Sequence, residues 1–339
     1  MKRNEYAPAL DYLEKAHVIY NELADSLGIA SVYVTMADNS ADHGRFEEAV
    51  SYLKKALRIR VNEYGESHQL VASVYKSLAE VLKAFGKFEE ATECVLKAHD
   101  IFVKIFEERH PNVASAYYTM GALSMEVEDF DNALLYYEKA LDIYEEFYSG
   151  VHPDIAALYS KISQYYGRAK TDYNKAISYG LQFKDQVMKL YGRTHSAVAV
   201  SLNSLSTYYS RMEQYDKAVE CSEEAAVIVK ELYGQEHIAL ANVYHNISTL
   251  QYKMGRCEEA IDLMEEVLRM FIAHYGENHP NVATVYNNLG QFEAGMKNYS
   301  KALEYMILSK SLYERIYGND NSHIATACDN IAVIYKELS

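Results

Sequence analysis

Six histidines recur along the chain at near-constant spacing: His68, His110, His152, His195, His237 and His279. The intervals are 42, 42, 43, 42 and 42 residues. Imidazole ligates metals and carries protons, so such a series invites metal or acid–base chemistry. Metal ligands, however, must converge to within about 2 Å of one ion, and side chains spaced a full repeat apart do not. The spacing predicts instead one structural imidazole per loop, hydrogen bonded at a helix entrance. The paired carboxylates Glu47-Glu48, Glu89-Glu90 and Glu258-Glu259 sit where helices begin and favour the positive end of the helix dipole. They need no catalytic role. The motifs H-E-x-x-H and G-x-S-x-G are absent, as is a phosphate-binding loop. The four cysteines, Cys94, Cys221, Cys257 and Cys328, show no C-x-x-C spacing and read as buried, reduced thiols. No catalytic residue, metal or cofactor is expected, and the chain reads as a non-enzyme.

What positions these residues is a repeat. A second marker, the alanine of G-x-F-E-E-A and its variants, falls at Ala49, Ala91, Ala133, Ala176, Ala218, Ala260 and Ala302, with the same period and the same single extra residue. Each unit reads as two helices. The first opens after the histidine, where Pro111, Pro153 and Pro280 suit the first helical position. Its apolar residues recur at helical spacing, as in Val282, Val285, Leu289 and Phe292. A small residue follows the central apolar one (Ala37, Ala79, Gly121, Ser163, Ser206, Ser248, Gly290, Ala332), which lets two helix backbones approach closely. Gly44, Gly86 and Gly255 end first helices. The second helix runs from an aromatic such as Phe46 or Tyr299 to Tyr64-Gly65 and its equivalents. The prediction is about 15 residues for the first helix and nearer 20 for the second.

The reading is all-α: about 16 antiparallel helices in a single domain over 1–339. Residues 4–26 form a half repeat (a second helix), 27–318 form seven full repeats, and 319–339 form a half repeat (a first helix). Neither end resembles a polar cap. Register places Asn321, not His323, at the last histidine position. Departures fall in two units. Phe106-Glu107 replaces Tyr-Gly, and one residue is inserted around Gly167–Asp172. In that fourth unit Gly180 and Phe183 stand at the usual large and small core sites, so the array is expected to bend or loosen there.

Composition bounds the partners. The net charge is −15 over 339 residues, so a phosphate backbone is a poor partner and no nucleic acid is expected. The N-terminus lacks an apolar signal core and no stretch is long enough to cross a bilayer, which points to a cytoplasmic protein without membrane insertion. The 32 tyrosines suit half-buried sites and binding surfaces.

The pattern small–x–x–L–[G/A]–x–x–Y…G–x–[F/Y]–x–x–A…A–L resembles the tetratricopeptide signature. The 42-residue period with Y-G-x-x-H-P-x-[V/I]-A is similar to the longer subclass of kinesin light chains and nephrocystin-3; similar arrays sit behind signalling NTPase domains. Coiled-coil heptads for a kinesin heavy chain are missing, so a true kinesin light chain is not expected. The resemblance implies a right-handed superhelical solenoid that grips a protein or peptide partner, a scaffold or adaptor whose first helices line a concave groove. It implies peptide contacts from solvent-facing positions of those helices. One column holds Asn246, Asn288 and Asn330, whose amides both donate and accept and so could hold an extended peptide backbone. The column before it holds Lys76, Tyr118, Asn203, His245, Asn287 and Asp329. Further along lie Lys83, Arg168, Arg211, Lys253 and Lys336, which suit acidic residues or a C-terminal carboxylate. Tyr118, Tyr252 and Met125 are candidates for apolar pockets. The alternative function is a structural or regulatory array that self-associates head to tail through its uncapped ends, or serves as the sensor of a larger signalling protein.

Overall fold

A computed structural model describes residues 6–318 and 322–338, with side chains placed through residue 337. The described residues form sixteen helices and no strand. They are α1 (Tyr6–Glu22), α2 (Ser26–Asp42), α3 (Phe46–Tyr64), α4 (Gln69–Ala84), α5 (Phe88–Phe106), α6 (Pro111–Glu126), α7 (Phe130–Tyr148) and α8 (Pro153–Arg168), followed by α9 (Tyr173–Tyr191), α10 (Ser196–Arg211), α11 (Tyr215–Tyr233), α12 (Ile238–Lys253), α13 (Cys257–Tyr275), α14 (Pro280–Gly295), α15 (Tyr299–Tyr317) and α16 (Ser322–Leu338). First helices such as α4 and α10 run 16 residues, and second helices such as α3 and α11 run 19. None is long and apolar enough to cross a membrane.

Two devices set the helix boundaries. At the end of α3, Gly65 takes φ +78° and its N–H bonds Val61 O at 2.9 Å, a conformation open to glycine. Three residues later His68 Nδ1 accepts the N–H of Leu70 at 3.2 Å, capping α4. The same cap recurs at His110, His152, His195, His237 and His279, at 3.1–3.2 Å. Each ring also stacks on the aromatic four residues before it, with centroids from 3.4 Å (Tyr148–His152) to 4.6 Å (Tyr233–His237). The repeated Y-G-x-x-H thus ends one helix and starts the next with a single stacked pair. Asn321 lies outside the described residues; His323 stacks on Tyr313 at 4.9 Å.

Within each unit the small residue of the first helix meets the alanine marker of the second. A Cβ on Gly121 would stand 2.7 Å from Tyr137 and 3.2 Å from Ala133 O. Ser206 Oγ instead donates to Ala218 O at 2.8 Å and bonds Ser222 Oγ at 2.7 Å, so a hydroxyl pair fills the site that Leu53 fills in α3. Ala49, Leu53, Ala56, Ala218 and Ala260 are wholly buried.

The chain divides into two compact units, Met1–Tyr165 and Tyr166–Ser339. The boundary falls in α8, within the repeat that carries the extra residue. Gly180 is buried and Phe183 half-buried on α9. In the first unit helices pack α1 on α2, α2 on α3 and onward through α6 and α7. In the second the same order runs from α9 to α16. First helices also touch directly, α4 with α6 and α14 with α16.

Candidate functional site

Within each compact unit, where first helices touch directly as α4 with α6 and α14 with α16, residues about 42 apart in sequence can become rungs on one face. In the second unit four of the expected residues converge. Arg211 ends α10, while His245, Asn246 and Lys253 lie along α12; together they line a groove of about 300 Å³. Ser206, Thr207, Ser210, Thr249 and Leu250 complete its walls, and no carboxylate is among them. Lys253 Nζ donates to Ser210 Oγ at 3.4 Å and lies 5.8 Å from the Tyr215 ring centroid. Arg211 and Lys253 are exposed. Two cations in a groove free of acids, on a chain of net charge −15, make a local positive site suited to a carboxylate.

The asparagine column is partly tied into the array itself. Asn288 Nδ2 donates to His245 Nε2 at 2.8 Å, and Asn330 Nδ2 donates to Asn287 Oδ1 at 3.0 Å. Both bonds span 43 residues, joining one first helix to the next. The amide nitrogen carries only hydrogens, so His245 Nε2 accepts and the ring is neutral. Burial holds the His245 pKa below its ordinary value, and a hydrogen bond with Asn246 offsets this in part. The equivalent third rung would join Asn246 to Asn203, and it is open. Asn203 Oδ1 is buried without a hydrogen-bond partner, and the Asn246 side chain is exposed to the groove. Asn246 thus faces the groove while its side chain is hydrogen bonded to His245 of the same helix.

The other expected residues are dispersed. In the first unit Lys76 Nζ donates to Ser115 Oγ at 2.7 Å and lies 3.8 Å from Glu80. Tyr118 packs with its ring centroid 6.1 Å from that of Tyr137, and burial pushes its hydroxyl pKa up, with Glu80 and Asp154 adding to the shift. Lys83 stands near Lys161, whose ammonium burial holds below its usual range, the Lys83 charge adding to the effect. In the second unit Arg168 is exposed at the end of α8. Tyr252 is spent on packing: its ring stacks on Phe292 at 4.4 Å, crowds Gly295, and its hydroxyl donates to Gln291 O at 3.3 Å. Met125 is buried. Sequence reasoning passed over Thr207 and Thr249, which line the groove. Their signal was present, since they occupy equivalent positions directly after Ser206 and Ser248.

Among the described residues no group of three or more His, Cys, Asp and Glu side chains could hold a metal ion. Tetratricopeptide repeat models match residues 1–62, 28–102, 70–146, 112–182, 154–226 and 198–273, and a further one matches 282–323. No curated protein matches the chain. Solved structures do. The signal transduction ATPase with numerous domains (STAND) protein with a tetratricopeptide repeat sensor from Pyrococcus horikoshii is 20% identical, with a TM-score of 0.72. That match covers 98% of this chain and 48% of that one, so the present chain spans about half its length. BtubC (BKLC) from P. vanneervenii is 20% identical with a TM-score of 0.58, covering 69% and 93%. A Podosopora anserina putative kinesin light chain of nearly identical repeats is 19% identical with a TM-score of 0.51, covering 60% and 96%. At these identities the likeness is one of fold.

Proposed function

The chain belongs to the tetratricopeptide repeat family, and from that premise we propose that it is a protein-binding adaptor whose first-helix groove between α10 and α12 holds an extended peptide of a partner. Arg211 and Lys253 take an acidic side chain or the terminal carboxylate, and Asn246 holds the peptide backbone. The observation that supports this reading is the convergence of two exposed cations and a groove-facing amide in a groove whose lining holds no acid. The test is selection from a library of random peptides with free C-termini. Acidic or carboxylate-terminated sequences should be enriched on the full chain and lost on an Arg211→Glu, Lys253→Glu variant. Equal enrichment on both proteins would refute the assignment.

A second reading has its own observation. Ala9, Leu13 and Ala16 of α1 are only half-buried and Ala332 of α16 is exposed, whereas Ala49, Leu53, Ala56 and Ala37 at the same repeat positions are fully buried. Assembly through these faces would cover them, either in self-association or within a larger protein such as one carrying a sensor array. Light scattering across concentration separates the two readings: a strict monomer at high concentration removes self-association.

A further inference from the structure

A concavity of about 810 Å³ opens in the first unit among α1, α2 and α3. Lys54, Lys55 and Arg58 of α3 line one side, His17 and Asn21 of α1 the other, and Ile29, Tyr33, Val50 and Ile59 supply apolar wall. Glu47 is the one carboxylate in this lining. The three cations are peculiar to this helix. At the same repeat positions α5 carries Leu96, Lys97 and Asp100, α7 carries Glu138, Lys139 and Asp142, and α9 carries Leu181, Gln182 and Asp185. In α11 they are Glu223, Glu224 and Val227, in α13 Glu265, Glu266 and Arg269, and in α15 Ile307, Leu308 and Ser311. A position that is acidic or neutral in most units of an acidic chain has become a basic triplet where a cleft opens.

The triplet is also held for use. Lys55 Nζ lies 5.3 Å from the centroids of both Tyr33 and Tyr52, whose rings stack 6.0 Å apart. Tyr33 is fixed in turn by its hydroxyl, 3.0 Å from His17 Nε2. Lys54 and Arg58 are exposed, one helical turn apart, and no ion pair engages either among the described residues. A volume of this size is in the usual range for ligand sites.

We propose that this cleft is a second docking site, separate from the first-helix groove, for a short acidic peptide that also carries apolar side chains. Charge complementarity to Lys54, Lys55 and Arg58 selects the acidic residues. The Ile29, Val50 and Ile59 wall selects the apolar ones, which a free phosphate or a nucleic-acid backbone lacks; the net charge of −15 further disfavours the latter.

The experiment uses the full chain and a fluorescein-labelled probe, Glu-Asp-Leu-Glu-Glu-Leu-Asp-Phe-amide, in a polarisation titration. The wild type should bind it, with affinity falling as salt rises. The Arg211→Glu, Lys253→Glu variant, whose first-helix groove no longer takes acidic side chains, should still bind the probe, and adding Lys54→Glu with Arg58→Glu should weaken that binding about tenfold or more. All four residues are exposed, so circular dichroism should show both variants folded. Equal binding after Lys54→Glu with Arg58→Glu is added, or loss already complete in the Arg211/Lys253 variant, would overturn the proposal. So would equal binding of an all-Glu octamer, or full displacement by inorganic phosphate at the peptide's own concentration, since either makes the apolar wall irrelevant. Because the two variant pairs lie on different helices, α3 against α10 and α12, this site and the first-helix groove can fail independently.

Discussion

At the scale of single residues, the histidine caps carry an energetic expectation. His279 Nδ1 accepts from Asn281 N–H at 3.2 Å while its ring lies 3.9 Å from Tyr275. His279→Ala removes both, and loss of a cap typically costs about 0.5–2 kcal/mol. His279→Asn restores an acceptor and should cost less; urea unfolding of the two variants checks the order. A second expectation concerns Glu107, which stands where five other units have glycine and one has Ser149, and which takes φ 64°, ψ 178°. Side chains other than glycine are strained there by about 1–3 kcal/mol. Glu107→Gly should therefore stabilise the chain, read as a higher urea midpoint; an unchanged or lower midpoint would show that no strain is stored. Both positions were legible in the sequence. The histidine's role followed from its spacing, and Phe106-Glu107 stood out against Tyr-Gly. The rungs Asn288–His245 and Asn330–Asn287 were not legible. Whether two polar columns bond or face solvent depends on the offset between neighbouring first helices, which a 42-residue period does not specify.

At the scale of the helix pair, packing depends on how closely two backbones approach. Gly121 has no room for a methyl group, with Tyr137 at 2.7 Å and the Ala133 carbonyl at 3.2 Å from the added carbon. Gly121→Ala gains helix propensity of about 1 kcal/mol but overpacks a core, at a typical cost of about 1–3 kcal/mol. The net expectation is destabilisation, visible as faster amide exchange in α6 and α7; slower exchange there would contradict it. The small column was evident from sequence alone, because Ala, Gly and Ser alternate at one position. Its hydroxyl version, Ser206 with Ser222, was not anticipated, since Ser222, where α3 carries Leu53, reads by itself as a surface residue. In the structure both are buried and satisfied by each other and by Ala218 O. The triplet Lys54, Lys55 and Arg58 also emerges only here, when second helices are compared column by column and a cleft is seen beside one of them.

At the scale of the whole molecule, the tyrosines tie stability to pH. Burial pushes the hydroxyl pKa values of Tyr137 and Tyr144 up, with neighbouring tyrosines and acids adding to it; Tyr313 shifts the same way. A folded-state pKa above the unfolded value of about 10 means that the folded chain keeps protons the unfolded chain releases. That contribution is complete below pH 10 and is lost as pH rises beyond it. The melting temperature should fall steeply above pH 10, with exposed tyrosines ionising first and the buried share of the phenolate absorbance appearing only together with unfolding; complete phenolate formation ahead of unfolding would contradict the burial argument. Composition alone counted the tyrosines but did not tell packed rings from surface ones: Tyr137 is buried while Tyr191 is exposed. Fold class, helix number and repeat period were legible throughout, because two markers share one period. Partner chemistry was not legible in the same way, since a side chain expected to face a partner, such as Asn288 or Asn330, can equally be tied into the array.

The account stands or falls on whether the α10–α12 groove is where a partner sits. Hydrogen–deuterium exchange on the full chain, with and without a peptide selected for binding, tests this directly. Protection centred on residues 203–211 and 245–253, abolished by Arg211→Glu with Lys253→Glu, is the predicted result. Protection elsewhere, with those two segments exchanging as in the free chain, would contradict it.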